Sequence, residues 1–220
     1  MMTELVLKPS KYWIYRLANR LEIRSTSANY LSHTVGDHHI FLHCTELEKE
    51  AWLFTGEVYW HHPLLTHKQG VTDYLTILLV KSEGKPAHYT SAHEKGKVSE
   101  KLTDALLFFG NEQCIDTEWP KDKTARFAAL TFSKKWLTTA LGNTNEADMT
   151  AFFTMLANHT GIYHPNTVPR FNNRWVNDFF QTDDRIASHL EIKSKYFQLI
   201  ADFTEHLYRC SDIPPNFLET

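Results

Sequence analysis

The 220-residue sequence predicts an α+β fold: an antiparallel β-barrel with a short helix before it and a bundle of helices after it. Three observations carry this. A stretch near the N-terminus has helical spacing. A long central stretch is rich in aromatic and β-branched residues broken by turn residues. From Ser133 onward, capping residues and helical periodicity take over. Strands followed by helices, rather than alternating with them, indicate segregated layers.

Pro9 can occupy the first turn of the N-terminal helix, where its missing N–H does no harm. Tyr12, Ile14, Tyr15, Leu17, Ala18 and Leu21 then recur at helical spacing. In the central stretch, "ANYLSHTV", "HHIFLHCTEL" and "EAWLFTGEVYW" read as strands. Gly36-Asp37 is the turn between the first two, and Leu47-Glu48-Lys49 the turn between the next two. "DYLTILLVKS", "DALLFFG" and "RFAALTFS" continue the series, with "EGKP" and "EWPKDK" as further turns. About six to eight strands in about 100 residues favour a barrel or sandwich over an open sheet. "SKKWLTTALG" then opens on a Ser N-cap and stops at a Gly. "EADMTAFFTMLANHTG", "PRFNNRWVNDFFQ" and "HLEIKSKYFQLIADFTEHLYRC" follow as helices, and Pro214-Pro215 ends the last. The expected organisation is a helix packed on the barrel at 1–27, the barrel at 28–132, a helical subdomain at 133–210 and a tail or linker at 211–220.

Composition narrows the function classes. Hydrophobic residues make up 42% and charged residues 22%, ordinary for a soluble domain, and the net charge is -3. That balance disfavours a DNA-binding module within these residues. Cys44, Cys114 and Cys210 are widely spaced with no CxxC pair, which fits a reducing compartment. The N-terminus lacks the pattern of a signal peptide, and runs such as "LTILLV" are too short to span a bilayer. A cytoplasmic protein without membrane contact is expected.

Thirteen histidines invite a metal reading. Yet the sequence has HH twice and never HxH, the strand spacing that puts two imidazoles on one face. His39 and His43 share a face but stand about 13 Å apart at ~3.3 Å per residue, too far to chelate one ion. A cross-strand site drawn from His39, His43, His61, His62, His88 and Glu57 stays open as the basis of a metal-dependent enzyme. No GxSxG elbow and no glycine-rich phosphate loop occurs, so no catalytic residue is assigned, and neither metal nor other cofactor is expected.

The aromatic residues say more. On "WLFTGEVYWH", Trp52, Phe54, Val58 and Trp60 alternate onto one face, and Leu53, Thr55, Glu57, Tyr59 and His61 onto the other. One face must line the barrel interior. Trp52, Phe54 and Trp60 are candidate stacking walls of a ligand site, and Glu57, Tyr59 and His61 candidate polar anchors. Only one of these sets can point inward from a regular strand.

The last helix has two apolar seams. Ile186, Leu190, Lys193, Phe197, Ile200, Thr204 and Leu207 form one; Ile192, Tyr196, Leu199, Phe203 and His206 form the other. They lie about 100° apart around the helix. Either both seams are buried within one chain, or one of them meets a second subunit. For the second case the interface candidates are Tyr196, Leu199, Phe203 and Leu207.

Several stretches together resemble the N-terminal sensor domain of AraC-type transcription regulators. These are "LKPSKYWIYRLANRLE", "DYLTILLVKSEGK", "ALLFFG" followed by "TEWPKDKTARFAALTFSKKWLTTALG", and the last helix. The resemblance covers nearly the whole chain in order. It implies a cupin-like barrel that binds a small-molecule effector, helices that form a homodimer, and no enzymatic activity. It also implies that promoter DNA is reached only through a helix-turn-helix domain not present in these residues. The rival expectation is a cupin-type metal-dependent enzyme using the barrel histidines.

Overall fold

The computed structural model describes residues 2–6, 12–20, 23, 27, 29–60, 64–69, 73–93, 96–110, 114–142, 146–159, 161–163, 179 and 186–210. In chain order, β1 (Met2–Val6) and α1 (Trp13–Arg20) come first. Then follow β2 (Tyr30–Val35), β3 (His38–Glu48), β4 (Ala51–Trp60), β5 (Leu64–Gln69), β6 (Tyr74–Ser82), β7 (Ala87–His93), β8 (Gly96–Leu102), β9 (Asp104–Gly110), β10 (Cys114–Trp119) and β11 (Lys123–Ser133). The chain continues with α2 (Lys134–Ala140), α3 (Glu146–Asn158), β12 (Gly161–Tyr163) and α4 (Ile186–Cys210).

The strands form two sheets. One has the order β1-β5-β10-β7-β8 and the other the order β12-β9-β6-β11-β4-β3-β2. Pairing is antiparallel throughout except for β1 beside β5. The fold is α+β, with largely antiparallel sheets followed by helices, as expected. Among the described residues between 30 and 133 there are ten strands, β2 to β11, more than the about six to eight that periodicity suggests. Segment 1–27 contributes β1 as well as a helix, and β12 extends the seven-stranded sheet from within the helical region. The helix expected over "PRFNNRWVNDFFQ" and the 211–220 tail lie outside the described residues, apart from helical Phe179.

Local chemistry sets the turns and caps. Gly36, between β2 and β3, has φ 58°. A two-residue hairpin turn with its first central residue at positive φ favours glycine there. The next turn falls one residue later than expected, at Lys49-Glu50, with Glu50 at φ 70°. Leu47 and Glu48 remain in β3, where Leu47 is buried. Ser133 caps α2 as expected: its Oγ accepts from the Trp136 N–H at 2.9 Å, and Gly142 beyond the helix end has φ 83°.

The seven-stranded sheet is covered on both faces. Its inner face meets α1 and the five-stranded sheet around Trp13, Ile14, Leu31, Leu42, Phe54, Leu107, Tyr89 and Trp119. Its outer face meets the helices around Leu53, Ile77, Leu79, Phe108, Leu130, Trp136, Phe152 and Phe203. Alternation along each strand divides the two cores, because successive side chains point to opposite faces. In α1, Trp13, Ile14 and Ala18 are buried, whereas Tyr15, and Tyr12 just before the helix, are exposed.

All four residues considered for a subunit interface belong to the outer core. Tyr196, Leu199 and Leu207 are 0% exposed and Phe203 is 1% exposed within the single chain. Within the single chain they pack on its own sheet. Phe203 meets Phe108 edge-on, with ring centroids 5.0 Å apart, and the Tyr196 hydroxyl donates to the Thr131 carbonyl at 3.2 Å. Burial, and secondarily the nearby Glu48 charge, pushes the Tyr196 hydroxyl pKa well up. The second seam is thus spent inside the chain, and Lys193, the charged member of the first, pairs with Glu48 of β3 at 2.6 Å.

Candidate functional site

The strand register settles which face of β4 looks inward. Trp52 and Phe54 belong to the inner core, and Val58 packs against it. Glu57 and Tyr59 face the outside of the same sheet. The side chain of Trp60 and the whole of His61 lie outside the described residues. Of the two candidate sets, the stacking walls Trp52 and Phe54 therefore line the interior. Glu57 and Tyr59 cannot be their polar anchors.

On the inner face, register pairs residues into rows. Trp52 lies opposite Thr131, Thr131 opposite Thr76, and Thr76 opposite Phe109. The hydroxyls of Thr76 and Thr131 are 3.1 Å apart and hydrogen-bonded to each other. Two aromatic side chains thus flank a hydroxyl pair. All four residues are buried, Trp52 the least at 8% exposure. The next row runs Cys44, Phe54, Ala129, Leu78 and Leu107. The one after it runs Leu42, Gly56, Phe127, Val80 and Ala105. From the facing sheet, Tyr89, Ile115, Thr117 and Trp119 complete the inner core.

The buried residues described in this inner core carry no charged side chain. Its polar groups include the hydroxyls of Thr76, Thr131, Thr117, Ser82 and Tyr89, the Cys44 thiol and the indole N–H groups of Trp13, Trp52 and Trp119. Burial pushes the Cys44 thiol up to about 12, with Glu46 adding to the effect, so it stays protonated at neutral pH. Burial likewise raises the Tyr89 phenol, aided by Asp104. An unpaired ion buried in this core would lose its hydration without compensation.

The threonine pair escapes a reading based on aromatic alternation. Its signal is a single threonine inside each of two apolar runs, "LTILLV" and "AALTF". Whether the two threonines sit side by side depends on the β6–β11 register, which the two runs do not state.

The outer face of β3, β4 and β11 carries a separate polar cluster. The Glu57 carboxylate accepts from His39 Nε2 at 3.1 Å and from Arg126 Nε, and Arg126 Nη1 lies 3.8 Å from Glu83. The His39 and Tyr59 rings stack with centroids 5.7 Å apart. His43 is exposed on this face. His88 faces Glu118 at 3.8 Å on the outside of the other sheet. The described candidates for a barrel metal site, His39, His43, His88 and Glu57, therefore point out of the barrel: His39 meets Glu57, and His88 lies on the other sheet. Among the described residues, no group of three or more His, Cys, Asp or Glu is arranged to hold a metal ion. No helix of the described residues is long and apolar enough to cross a membrane.

No family model matches the sequence, and no curated protein matches it. Among solved structures, the chain is similar to hazelnut (Corylus avellana) vicilin, at 8% identity and a TM-score of 0.33 over 48% of this chain and 30% of that one. It is similar to Bacillus subtilis oxalate decarboxylase at 10% identity and a TM-score of 0.32, over 58% of this chain and 35% of that one. The cupin domain of Drosophila melanogaster CENP-C gives 11% identity and a TM-score of 0.31, over 48% of this chain and 77% of that one. The chain thus spans about a third of the length of the vicilin and the decarboxylase.

Proposed function

We propose that this chain is the effector-sensing domain of an AraC-type transcription regulator, with a small neutral effector held between the two sheets. The observation that carries the reading is a shared wall. β4, β6, β9 and β11 line the interior with Trp52, Thr131, Thr76 and Phe109. The same strands hold α2, α3 and α4 on their other side with Leu53, Ile77, Phe108 and Leu130. A molecule seated on the inner rows presses on the strands that position the helices. It shifts them to the extent that it favours one helix arrangement over another. Neither catalysis nor a cofactor enters this reading, and promoter DNA is contacted through a helix-turn-helix domain outside these residues.

The homodimer belongs to the same proposal, through a different flank of α4 from the buried seam. Leu190 is 66% exposed, and Phe197 and Thr204, on the first seam, are half-buried. Light scattering at tens of micromolar tests it, and a strict monomer removes this part. The sensing claim is tested by thermal melts with phenol as a neutral ring bearing one hydroxyl, alongside a panel of neutral aromatic alcohols and aldehydes. A ligand at 100 times its Kd adds about 2.7 kcal/mol. That is about 5–10 °C for a chain of this size. The shift should shrink in Thr76→Val. A panel without any shift sinks the effector class, and a stop codon directly after that for Thr220 sinks the regulator with its own DNA-binding domain.

A further inference from the structure

The turn between β3 and β4 reaches both α2 and α4. The register of β3 against β4 shifts between Glu46 and Glu48, an irregularity that re-aims side chains. The Glu48 carboxylate there accepts from the Trp136 indole N–H of α2 at 2.9 Å and pairs with the Lys193 ammonium of α4 at 2.6 Å. Two residues on, Glu50 accepts from the Ser133 hydroxyl at 2.6 Å, and its carbonyl accepts from the Ser133 N–H at 3.0 Å. The Trp136 ring stacks on Phe197 with centroids 5.6 Å apart, and Lys193 Nζ lies 5.8 Å above the same Phe197 ring.

Burial along α4 is uneven. From Tyr196 onward the helix is anchored by Leu199, Ile200, Phe203 and Leu207 in the outer core. Before Tyr196, Leu190, Glu191 and Ser194 are exposed and Ile192 is half-buried. Among the described side chains of that half, Lys193 makes the polar link to the barrel.

We infer that Glu48 is a latch: it holds residues 186–195 of α4 to the β3–β4 turn, and its release frees them as a lever hinged at Tyr196. The pair is poised to open. The Lys193 and Glu48 side chains are 30% and 36% exposed, and ion pairs this accessible contribute little net stability and weaken with salt. Opening would lift Lys193 from the face of Phe197 and free the indole N–H of Trp136. The latch is a property of the fold and does not rest on the sensor reading, so either can fail without the other.

Amide hydrogen exchange on the 220-residue chain tests it, comparing wild type with Glu48→Gln, Lys193→Met and the double variant. The Glu48→Gln change keeps an acceptor for the Trp136 N–H and loses only the charge. Each single variant should speed exchange over 186–195 by about threefold to tenfold, while 196–210 stays within about twofold of wild type. The double variant should be no faster than either single one, because both remove the same contact. In wild type, about 1 M salt should mimic the variants. Unchanged exchange over 186–195 overturns the latch. So does acceleration of the whole helix together, which would make Glu48 a general stabiliser, and so does an additive effect in the double variant.

Discussion

Trp13 of α1 meets Phe54 of β4 edge-on, with ring centroids 4.8 Å apart and planes at 61°. The contact seats the N-terminal helix in the inner core, where Trp13 is 4% exposed and Phe54 0%. Trp13→Ala removes a buried aromatic side chain and should cost about 3–5 kcal/mol. A urea melt should show a lower midpoint at an unchanged slope. Trp13→Phe should recover much of the loss.

Gly56 is a packing glycine. A Cβ there would lie 2.3 Å from a ring carbon of Phe127 and 2.6 Å from Leu42 Cδ2. Both neighbours are buried in the inner core, so neither can withdraw without disturbing the rows beside it. Gly56→Ala is expected to cost about 1–3 kcal/mol from overpacking. Gly36→Ala meets no steric neighbour and is strained only through its positive φ. Thermal melts of the two variants separate crowding from backbone strain.

The buried seam of α4 makes a prediction that differs from that of a subunit interface. Phe203→Ala should destabilise the chain by about 3–5 kcal/mol. Its oligomeric state below the transition should match that of wild type. Chemical denaturation combined with light scattering reads both. A well-folded variant with wild-type stability and a smaller assembly would reverse the placement of Phe203.

Cys44 is buried, with its thiol pushed up to about 12. Thiolate is the reactive form. Iodoacetamide near neutral pH should therefore leave Cys44 largely unlabelled in the folded chain and label it readily in urea, as peptide mass spectrometry would show. Rapid native labelling would mean that the inner core opens often.

The Lys193 ammonium and then the Trp136 N–H hold the Glu48 carboxyl below its usual value of 4.5. A carboxyl lowered in the folded state contributes stability that is fully present above its unfolded pKa and is lost as pH falls through the folded one. The stability difference between wild type and Glu48→Gln should be constant above about pH 5.5 and shrink below the unfolded value. Amide exchange over 186–195 in the two proteins, corrected for its intrinsic pH dependence, measures it from about pH 7 to about pH 3.5. A gap that persists to the lowest pH would show that it does not come from the charge.

The legible part of the fold divides by sheet. The six strands that stand out in the sequence are β2, β3, β4, β6, β9 and β11, all in the seven-stranded sheet. No strand of the five-stranded sheet stands out in the same way. The reason is burial. β6, β9 and β11 are covered on both faces and read as continuous apolar runs, as in "TILLV" and "ALLFF". In β10, Ile115, Thr117 and Trp119 are buried, while Asp116 and Glu118 between them are exposed. "CIDTEW" therefore looks like a loop. The Ser133 cap, the Gly36 turn and the extent of the last helix are legible because each depends on residues within a few positions of one another.

By itself the sequence determined that a strand-rich region lies between an N-terminal helix and later helices, the two alternating faces of β4 and the two apolar seams of the last helix. These follow from periods of about 2 and 3.6 residues, which are local properties of the backbone. Only the tertiary structure decided that Trp52 and Phe54 look inward, that Thr76 and Thr131 meet, that Tyr196 and Phe203 are buried in their own chain, and that Lys193 answers Glu48. A periodic pattern names faces but not what they face. Register between strands distant in sequence, and the sheet a helix lies on, are settled by packing of the whole chain.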